Sequence, residues 1–125
     1  FLALARKSGI KTAIVSGSHR SNVALALGIF SLGGFFDLIV AGEDVTERKP
    51  DPGPFLHAAE RLRVAPGACI VFEDSGPGSE AARKAGMKLV VVSSPAGDSV
   101  GRYDLKIKDF RELLGKGALE RLLSL

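Results

Sequence analysis

Four side chains of this sequence could do chemistry together: Ser16, Lys49 and the adjacent carboxylates of Glu73 and Asp74. Each lies at the end of a short apolar run or in the loop that follows one. A hydroxyl, an ammonium and two carboxylates at one place suit a phosphate group held against a divalent cation, because hard cations take carboxylate and phosphate oxygens. These residue types, in this order, predict a phosphate site with a metal ion beside it.

The apolar runs that precede these residues are typical of buried strands in a parallel sheet. Such runs cover residues 12–15, 38–41, 69–72, 89–92 and 105–107. Helical patterns alternate with them, over residues 1–8, 20–27, 54–63, 79–85, 110–114 and 118–123. The alternation predicts an α/β fold, a Rossmann-like three-layer arrangement with helices on both faces of a parallel sheet, in one domain over residues 1–125. Parallel strands end at a shared edge of the sheet, so we expect the four side chains to meet there.

The segment Ser16-Gly17-Ser18 follows the first predicted strand and precedes a helix. Free amides at a helix start, together with two hydroxyls, form an anion site. Gly17 would let an anion approach the backbone closely. The alternative is that Ser18 only caps the helix.

Lys49 lies in a polar loop directly before Pro50. A proline restricts the preceding residue to extended backbone, which can aim the ammonium inward as a phosphate clamp. The alternative is a solvated loop lysine, the common fate of this residue type.

The adjacent Glu73 and Asp74 form the strongest local signal. Two carboxylates at the end of a buried strand repel each other unless a cation lies between or beside them. Mg²⁺ accepts one or two carboxylates together with a substrate phosphate, so this pair predicts a magnesium site. The alternative is that Asp74 caps the next helix and Glu73 lies in solvent.

The segment from Gly76 to Ala81 also matches the G-x-G-x-x-A pattern of dinucleotide-binding proteins. In that family the pattern follows its strand directly, whereas here Glu73-Asp74-Ser75 intervenes. The two carboxylates would repel a pyrophosphate. The glycines therefore favour a tight turn beneath the metal site over a nucleotide loop.

Composition narrows the function classes. The net charge is +3, and the basic residues are scattered without interleaved aromatics, so nothing indicates a nucleic-acid partner. Cys69 is the only cysteine, which excludes a disulfide within the chain and fits a reducing compartment. No apolar stretch reaches the length of a membrane span. A cytoplasmic location without a membrane partner is expected.

The helical pattern at Phe1 is cut at its start, which predicts that a preceding segment is missing.

Taken in order, these segments resemble the haloacid dehalogenase (HAD) superfamily, and within it the branch of phosphoglycolate phosphatase and β-phosphoglucomutase. The resemblance rests on residues 13–18, 48–52, 71–75, 78, 81–82 and 85–87. It implies a HAD-like hydrolase that acts with Mg²⁺ on a small phosphorylated metabolite. It further implies that Ser16 hydrogen-bonds the transferring phosphoryl group and that Lys49 neutralises charge. Asp74 and Glu73 would hold the metal.

The sequence departs from the family at the nucleophile, because it contains no Asp-x-Asp. In the family that motif ends a central strand between those matching 12–15 and 69–72, and a helical cap commonly follows it. The chain is thus expected to be a C-terminal portion of the core that lacks the first central strand and the cap. Without them a gap of about 10 Å, two strand spacings, would separate its neighbours.

This departure predicts that the chain alone lacks phosphatase activity and that its partner is the missing N-terminal segment or another chain. The alternative function is a non-catalytic truncated relative that binds phosphate or a protein partner. A receiver-like phospho-acceptor domain uses similar groups, but in the order acids, hydroxyl, lysine, which is not the order found here. A nucleotide-binding oxidoreductase is a more distant alternative.

Overall fold

The computed structural model describes residues 1–94, 101–115 and 117–125. Strands and helices alternate through them. The strands are β1 Ala13–Val15, β2 Leu38–Val40, β3 Ile70–Glu73, β4 Lys88–Val92 and β5 Leu105–Ile107. The α-helices are α1 Leu2–Lys7, α2 Arg20–Ile29, α3 Gly53–Leu62, α4 Gly76–Lys84 and α5 Ala118–Leu123. No helix among these residues combines the length and the apolar character needed to cross a bilayer.

Most element boundaries lie within one or two residues of the predicted ones, and the differences have local causes. The helix expected to end before Gly28 continues to Ile29, since an interior glycine costs only about 1 kcal/mol. The helix expected from residue 79 begins at Gly76, because Ser75 caps it there. The segment expected as a helix over 110–114 is a 3-10 turn, Phe110–Leu113.

All strand pairing among the described residues is parallel, which confirms the predicted fold class. Strand β1 pairs with β2, and Val15 lies opposite Val40 at their carboxyl ends. A second sheet has the order β3-β4-β5, with Glu73 opposite Val91. Within residues 1–94 no ladder joins β1 to β3. The sheet is thus divided at the place where the family resemblance puts the absent central strand.

Two hydrophobic clusters lie against the second sheet. One contains Val71, Leu89 and Val91, which pack with side chains of α3 and α4. The other contains Val90 and Ile107 with side chains from the C-terminal region, and there the rings of Phe1, Phe72 and Phe110 contact one another. Helix α3 contacts β1 and β2 of the first sheet, and its Phe55 and Ala59 belong to the same cluster as Val71 and Leu89 of the second. This shared helix holds the ends of β1 and β3 at one side of the molecule.

Candidate active site

Lys49 joins the ends of the two sheets. Its ammonium donates to the backbone carbonyl of Val15 at 3.1 Å, at the end of β1, and to the Glu73 carboxylate at the end of β3. The Nζ atom also lies 4.6 Å from the ring centre of Phe55 in α3, within cation–π range. The Lys49 side chain is only 21% exposed. The alternative of a solvated loop lysine is therefore wrong.

Glu73 is held from three sides. Besides Lys49, the hydroxyl of Ser75 donates to its Oε2 at 3.0 Å, and the same hydroxyl accepts from the Gly78 amide at 3.2 Å. A Cβ at position 78 would lie 2.1 Å from the carboxylate carbon of Glu73. Only glycine leaves the carboxylate room here. Glu73 is 9% exposed and the cap of α4 is Ser75, so the alternative with Asp74 as cap and Glu73 in solvent is wrong on both points.

Gly78 also bears on the dinucleotide alternative. Its missing Cβ makes room for a carboxylate of the same chain, and its amide is already bonded to Ser75. The close backbone approach that the G-x-G-x-x-A pattern reserves for a pyrophosphate is used internally. Gly76 and Gly78 lie in the first turn of α4, so the tight turn expected from the sequence is the start of a helix, and Gly78 makes room there for the Glu73 carboxylate.

Asp74, unlike Glu73, is exposed. Its backbone carbonyl accepts a hydrogen bond from the Ser94 hydroxyl at 2.9 Å. No group of three or more His, Cys, Asp or Glu residues suited to a metal ion occurs among the described residues. The cation found beside Glu73 is the ammonium of Lys49. The donor set still fits Mg²⁺, which completes its octahedron with water and substrate oxygens around one or two carboxylates. Asp74 is the carboxylate free to face solvent, and Glu73 is the one already neutralised.

The loop after β1 differs in one respect from the prediction. The N-cap of α2 is His19, not Ser18, and its ring accepts from the Ser21 amide at 3.4 Å. The Arg20 amide donates to the Glu43 carboxylate at 3.0 and 3.1 Å. The expectation of free amides at this helix start is therefore wrong for the first helical residues. Side chains from the same chain already bind them.

Ser16 and Gly17 line a cavity of about 220 Å³. Its other lining residues come from the loop after β2 and the start of α3: Gly42, Val45, Glu47, Arg48, Lys49 and Pro54. The Ser16 hydroxyl accepts from the Ser18 amide at 3.1 Å, so it keeps its own proton for another acceptor. The structure thus brings a hydroxyl, the backbone of Gly17 and two cations, Arg48 and Lys49, around one space, together with the carboxylate-bearing Glu47.

Several residues of this site were not singled out from the sequence. Phe55 underlies Lys49, Gly42 packs on Gly17, and Glu43 binds the start of α2. Gly42 and Glu43 directly follow an apolar run, the same signal that identified Ser16 and Glu73. Phe55 carries no such signal, because an aromatic residue in an amphipathic helix indicates only a core position.

Comparison with known proteins gives a consistent result. Residues 1–92 match the family model described as haloacid dehalogenase-like hydrolase. The chain is 39% identical over 110 residues to protein CbbY of Rhodobacter capsulatus, covering 84% of this chain and 48% of that protein. It is 31% identical over 121 residues to hexitol phosphatase B of Escherichia coli, covering 94% of this chain and 54% of that protein.

Among solved structures, β-phosphoglucomutase from Clostridium difficile superimposes with a TM-score of 0.84 at 25% identity. The match covers 98% of this chain and 53% of that protein. The chain thus spans about half the length of the curated relatives it matches.

Proposed function

Because the chain belongs to the haloacid dehalogenase-like hydrolases, we propose that it forms the phosphoryl-binding part of a Mg²⁺-dependent phosphatase or phosphomutase for a small phosphorylated metabolite. The family resemblance inferred from the motifs is confirmed, and its relatives include sugar phosphatases. The observation that carries the proposal is the position of Lys49, which bridges Val15 and Glu73 beside the cavity that Ser16 lines.

The predicted phosphate-binding residues have proposed roles in and around that cavity, which Ser16, Gly17 and Lys49 line. The Ser16 hydroxyl donates to a phosphoryl oxygen, and the backbone of Gly17 with Ser18 forms the wall against which the group lies. Lys49 neutralises part of its negative charge while staying paired with Glu73. These roles are supported by the side chains that line the cavity and by the partial burial of Lys49.

The metal is proposed at the end of β3. Asp74 would bind Mg²⁺ directly, and Glu73 would orient its surroundings through Lys49 and Ser75. A bound Mg²⁺ would supply charge neutralisation on the phosphoryl oxygens. The exposure of Asp74 supports this division, because a hard cation that retains several waters needs an open carboxylate.

The nucleophile is not in this chain, since the 125 residues contain no Asp-x-Asp. We propose that the strand carrying it in the family completes the site between β1 and β3, supplied by an N-terminal segment or by another chain. The single Cys69 supports a reducing, cytoplasmic location. The chain on its own is proposed to bind phosphate without hydrolysing phosphate esters.

A second function is favoured by the same missing motif: a non-catalytic relative that only binds phosphate or a protein partner. The two functions differ in what an added nucleophile strand would do. A peptide with the N-terminal strand of an active relative should restore hydrolysis of p-nitrophenyl phosphate if the proposal is right. It should leave the chain inactive if the site has become a binding site only.

The first test measures the binding of inorganic phosphate to the chain by isothermal titration calorimetry, with and without Mg²⁺. We expect binding by the unchanged chain and at least tenfold weaker binding by Ser16→Ala, about 1.4 kcal/mol. Ser8→Ala is the matched control, because Ser8 is exposed at the end of α1 and away from the cavity lining. Turnover of p-nitrophenyl phosphate by the chain alone, or unchanged binding by Ser16→Ala, would contradict the proposal.

A further inference from the structure

Gly42, which lines the cavity, makes an unusually close backbone approach to the loop after β1. A Cβ at this position would lie 2.4 Å from the carbonyl oxygen of Gly17 and 3.1 Å from its carbonyl carbon. Both atoms belong to backbone, which cannot swing aside as the end of a long side chain can. Glycine is therefore required at position 42 by space, and the residue it touches lies in the proposed phosphoryl-binding loop.

Hydrogen bonds continue this contact beyond the end of the sheet. The Ser16 amide donates to the Val40 carbonyl at 2.9 Å, which is the last link between the β1 and β2 chain segments. The Gly42 amide then donates to the Ser18 carbonyl, also at 2.9 Å. The loop after β2 thus lies directly on the loop after β1, and the position of Gly17 depends on how closely Gly42 approaches.

Two carboxylates hold this approach in place. Asp44 accepts from the Ala41 amide at 2.7 Å and from the guanidinium of Arg20, which also donates to the Ile39 carbonyl at 3.3 Å. Glu43 accepts from the backbone amide of Arg20. Since Arg20 is the first residue of α2, these bonds fix where the helix begins and, with it, the loop that precedes it.

Charge supports the same geometry. The Ala41 amide and the Arg20 guanidinium beside Asp44 hold the pKa of that carboxyl below its ordinary value. Hydrogen bonds from its own backbone amide and from Arg20 do the same for the pKa of Glu43. Both groups are therefore ionised at neutral pH and act as acceptors only.

We propose that Gly42 and Asp44 are positioning residues of the phosphoryl cavity. Gly42 sets the distance between the two loops at Gly17, and Asp44 maintains that distance through Arg20. Gly42 lines the cavity but offers no side chain to a ligand, and Asp44 is not among the lining residues. Both act through Ser16 and Gly17. The inference rests on the proposed function, because it assumes that the cavity binds a phosphoryl group.

The test compares Gly42→Ala with Gly28→Ala in the full chain. Position 28 lies in α2 and has nothing within 4 Å of an added Cβ, so it controls for the general effect of the substitution. Binding of inorganic phosphate and the ¹⁵N–¹H shift of the Gly17 amide are measured for both variants, with melting temperature alongside. We expect Gly42→Ala to move the Gly17 signal and to weaken phosphate binding at least tenfold. Gly28→Ala should leave both unchanged.

Asp44 is tested by two variants of graded severity. Asp44→Asn retains a carbonyl acceptor for the Ala41 amide but loses the charge that faces Arg20, whereas Asp44→Ala loses both. Phosphate binding should weaken moderately in Asp44→Asn and more in Asp44→Ala. A loss of stability without movement of the Gly17 signal would show a merely structural role and overturn the inference.

The outcomes separate the two proposals. If the unchanged chain does not bind phosphate, the proposed function fails, and the inference that depends on it fails with it. If the unchanged chain binds phosphate and Gly42→Ala binds it equally well, the inference alone is overturned. If Gly42→Ala does not fold, Asp44→Asn decides, and unchanged phosphate binding by that variant overturns the inference.

Discussion

The two sheets of this molecule differ in how deeply their strands are buried. In β3 and β4 the inward residues are buried, and Leu89, Val90 and Val91 are fully enclosed. In β1 all three residues are only half-buried, although their sequence is equally apolar. Each sheet ends in a polar group at the same side of the molecule, Ser16 on one and Glu73 on the other. Glu73, on the more deeply buried sheet, is bound by the side chains of Lys49 and Ser75, whereas Ser16, on the less buried sheet, faces a cavity.

The two strand ends divide the site between a supporting part at Glu73 and a part open to ligand at Ser16. Glu73 is surrounded by groups that hold it still, so it can fix the ammonium of Lys49. Ser16 and Gly17 lie where a ligand can reach them. In both regions a glycine makes room: Gly78 for the carboxylate and Gly42 for the neighbouring loop. Lys49 is the contact that connects the two regions.

Removing the ammonium of Lys49 should cost more stability than any other single change considered. Lys49→Met keeps the apolar stem over Phe55 but leaves the buried Glu73 carboxylate without its cation. We expect a loss of about 3 kcal/mol in the free energy of unfolding, measured by urea denaturation, because an unpaired buried charge is costly. Replacing both partners, as in Lys49→Met with Glu73→Gln, should cost clearly less than the sum of the two single changes.

Lys84→Met is the matched control for this prediction. Lys84 pairs with Glu80 one helical turn away in α4, and both side chains are about half exposed, 49% and 46%. Such an exposed pair contributes little to stability, because water and salt screen it. Equal losses for the Lys49 and Lys84 variants would mean that Lys49 behaves as a solvated lysine and that the two sheets are not joined through it.

A smaller loss of stability is expected from a change at Gly78, beside Glu73. Gly78→Ala would place a methyl group against the Glu73 carboxylate, which cannot move freely because Lys49 and Ser75 bind it. We expect a loss of about 2 kcal/mol in thermal or urea unfolding, in the range of overpacking a filled interior. Gly67→Ala, where an added Cβ meets nothing within 4 Å, should be near neutral. A neutral Gly78→Ala would show that Glu73 is loosely held.

The smallest effect is a pH dependence of stability that arises from Asp44 in the loop after β2. The Ala41 amide and the Arg20 guanidinium lower the pKa of Asp44, so its contribution to stability is present above the ordinary carboxyl pKa of 3.8. That contribution is lost as the pH falls through the lowered value of the folded state. Melting temperatures of the unchanged chain and of Asp44→Asn should therefore differ at pH 7 and converge only as the pH falls below the lowered pKa of Asp44 in the folded state. A difference that stays constant down to acidic pH would contradict this account.

Much of the fold could be predicted because its signals are local. Apolar runs placed β1 to β5 to within one residue at each end, and proline and glycine positions placed most helix boundaries. Ser16, Lys49 and Glu73 could be assigned to one edge, since parallel strands end at the same side of a sheet. The limits of this local approach are seen at Gly28, which α2 passes through, and at His19, which caps the helix in place of Ser18.

Neighbours along the chain were enough to predict the succession of strands and helices and the polar residues that follow β1 and end β3, and they show that no Asp-x-Asp motif is present. Three-dimensional packing was needed to see that Lys49 pairs with Glu73, that Gly42 packs on Gly17 and that β1 is half-buried. The first two contacts join residues more than twenty positions apart. Whether they form depends on differences of a few tenths of an ångström in the distance between the segments. Composition and periodicity carry no information at that scale, because close packing of the whole molecule sets these distances.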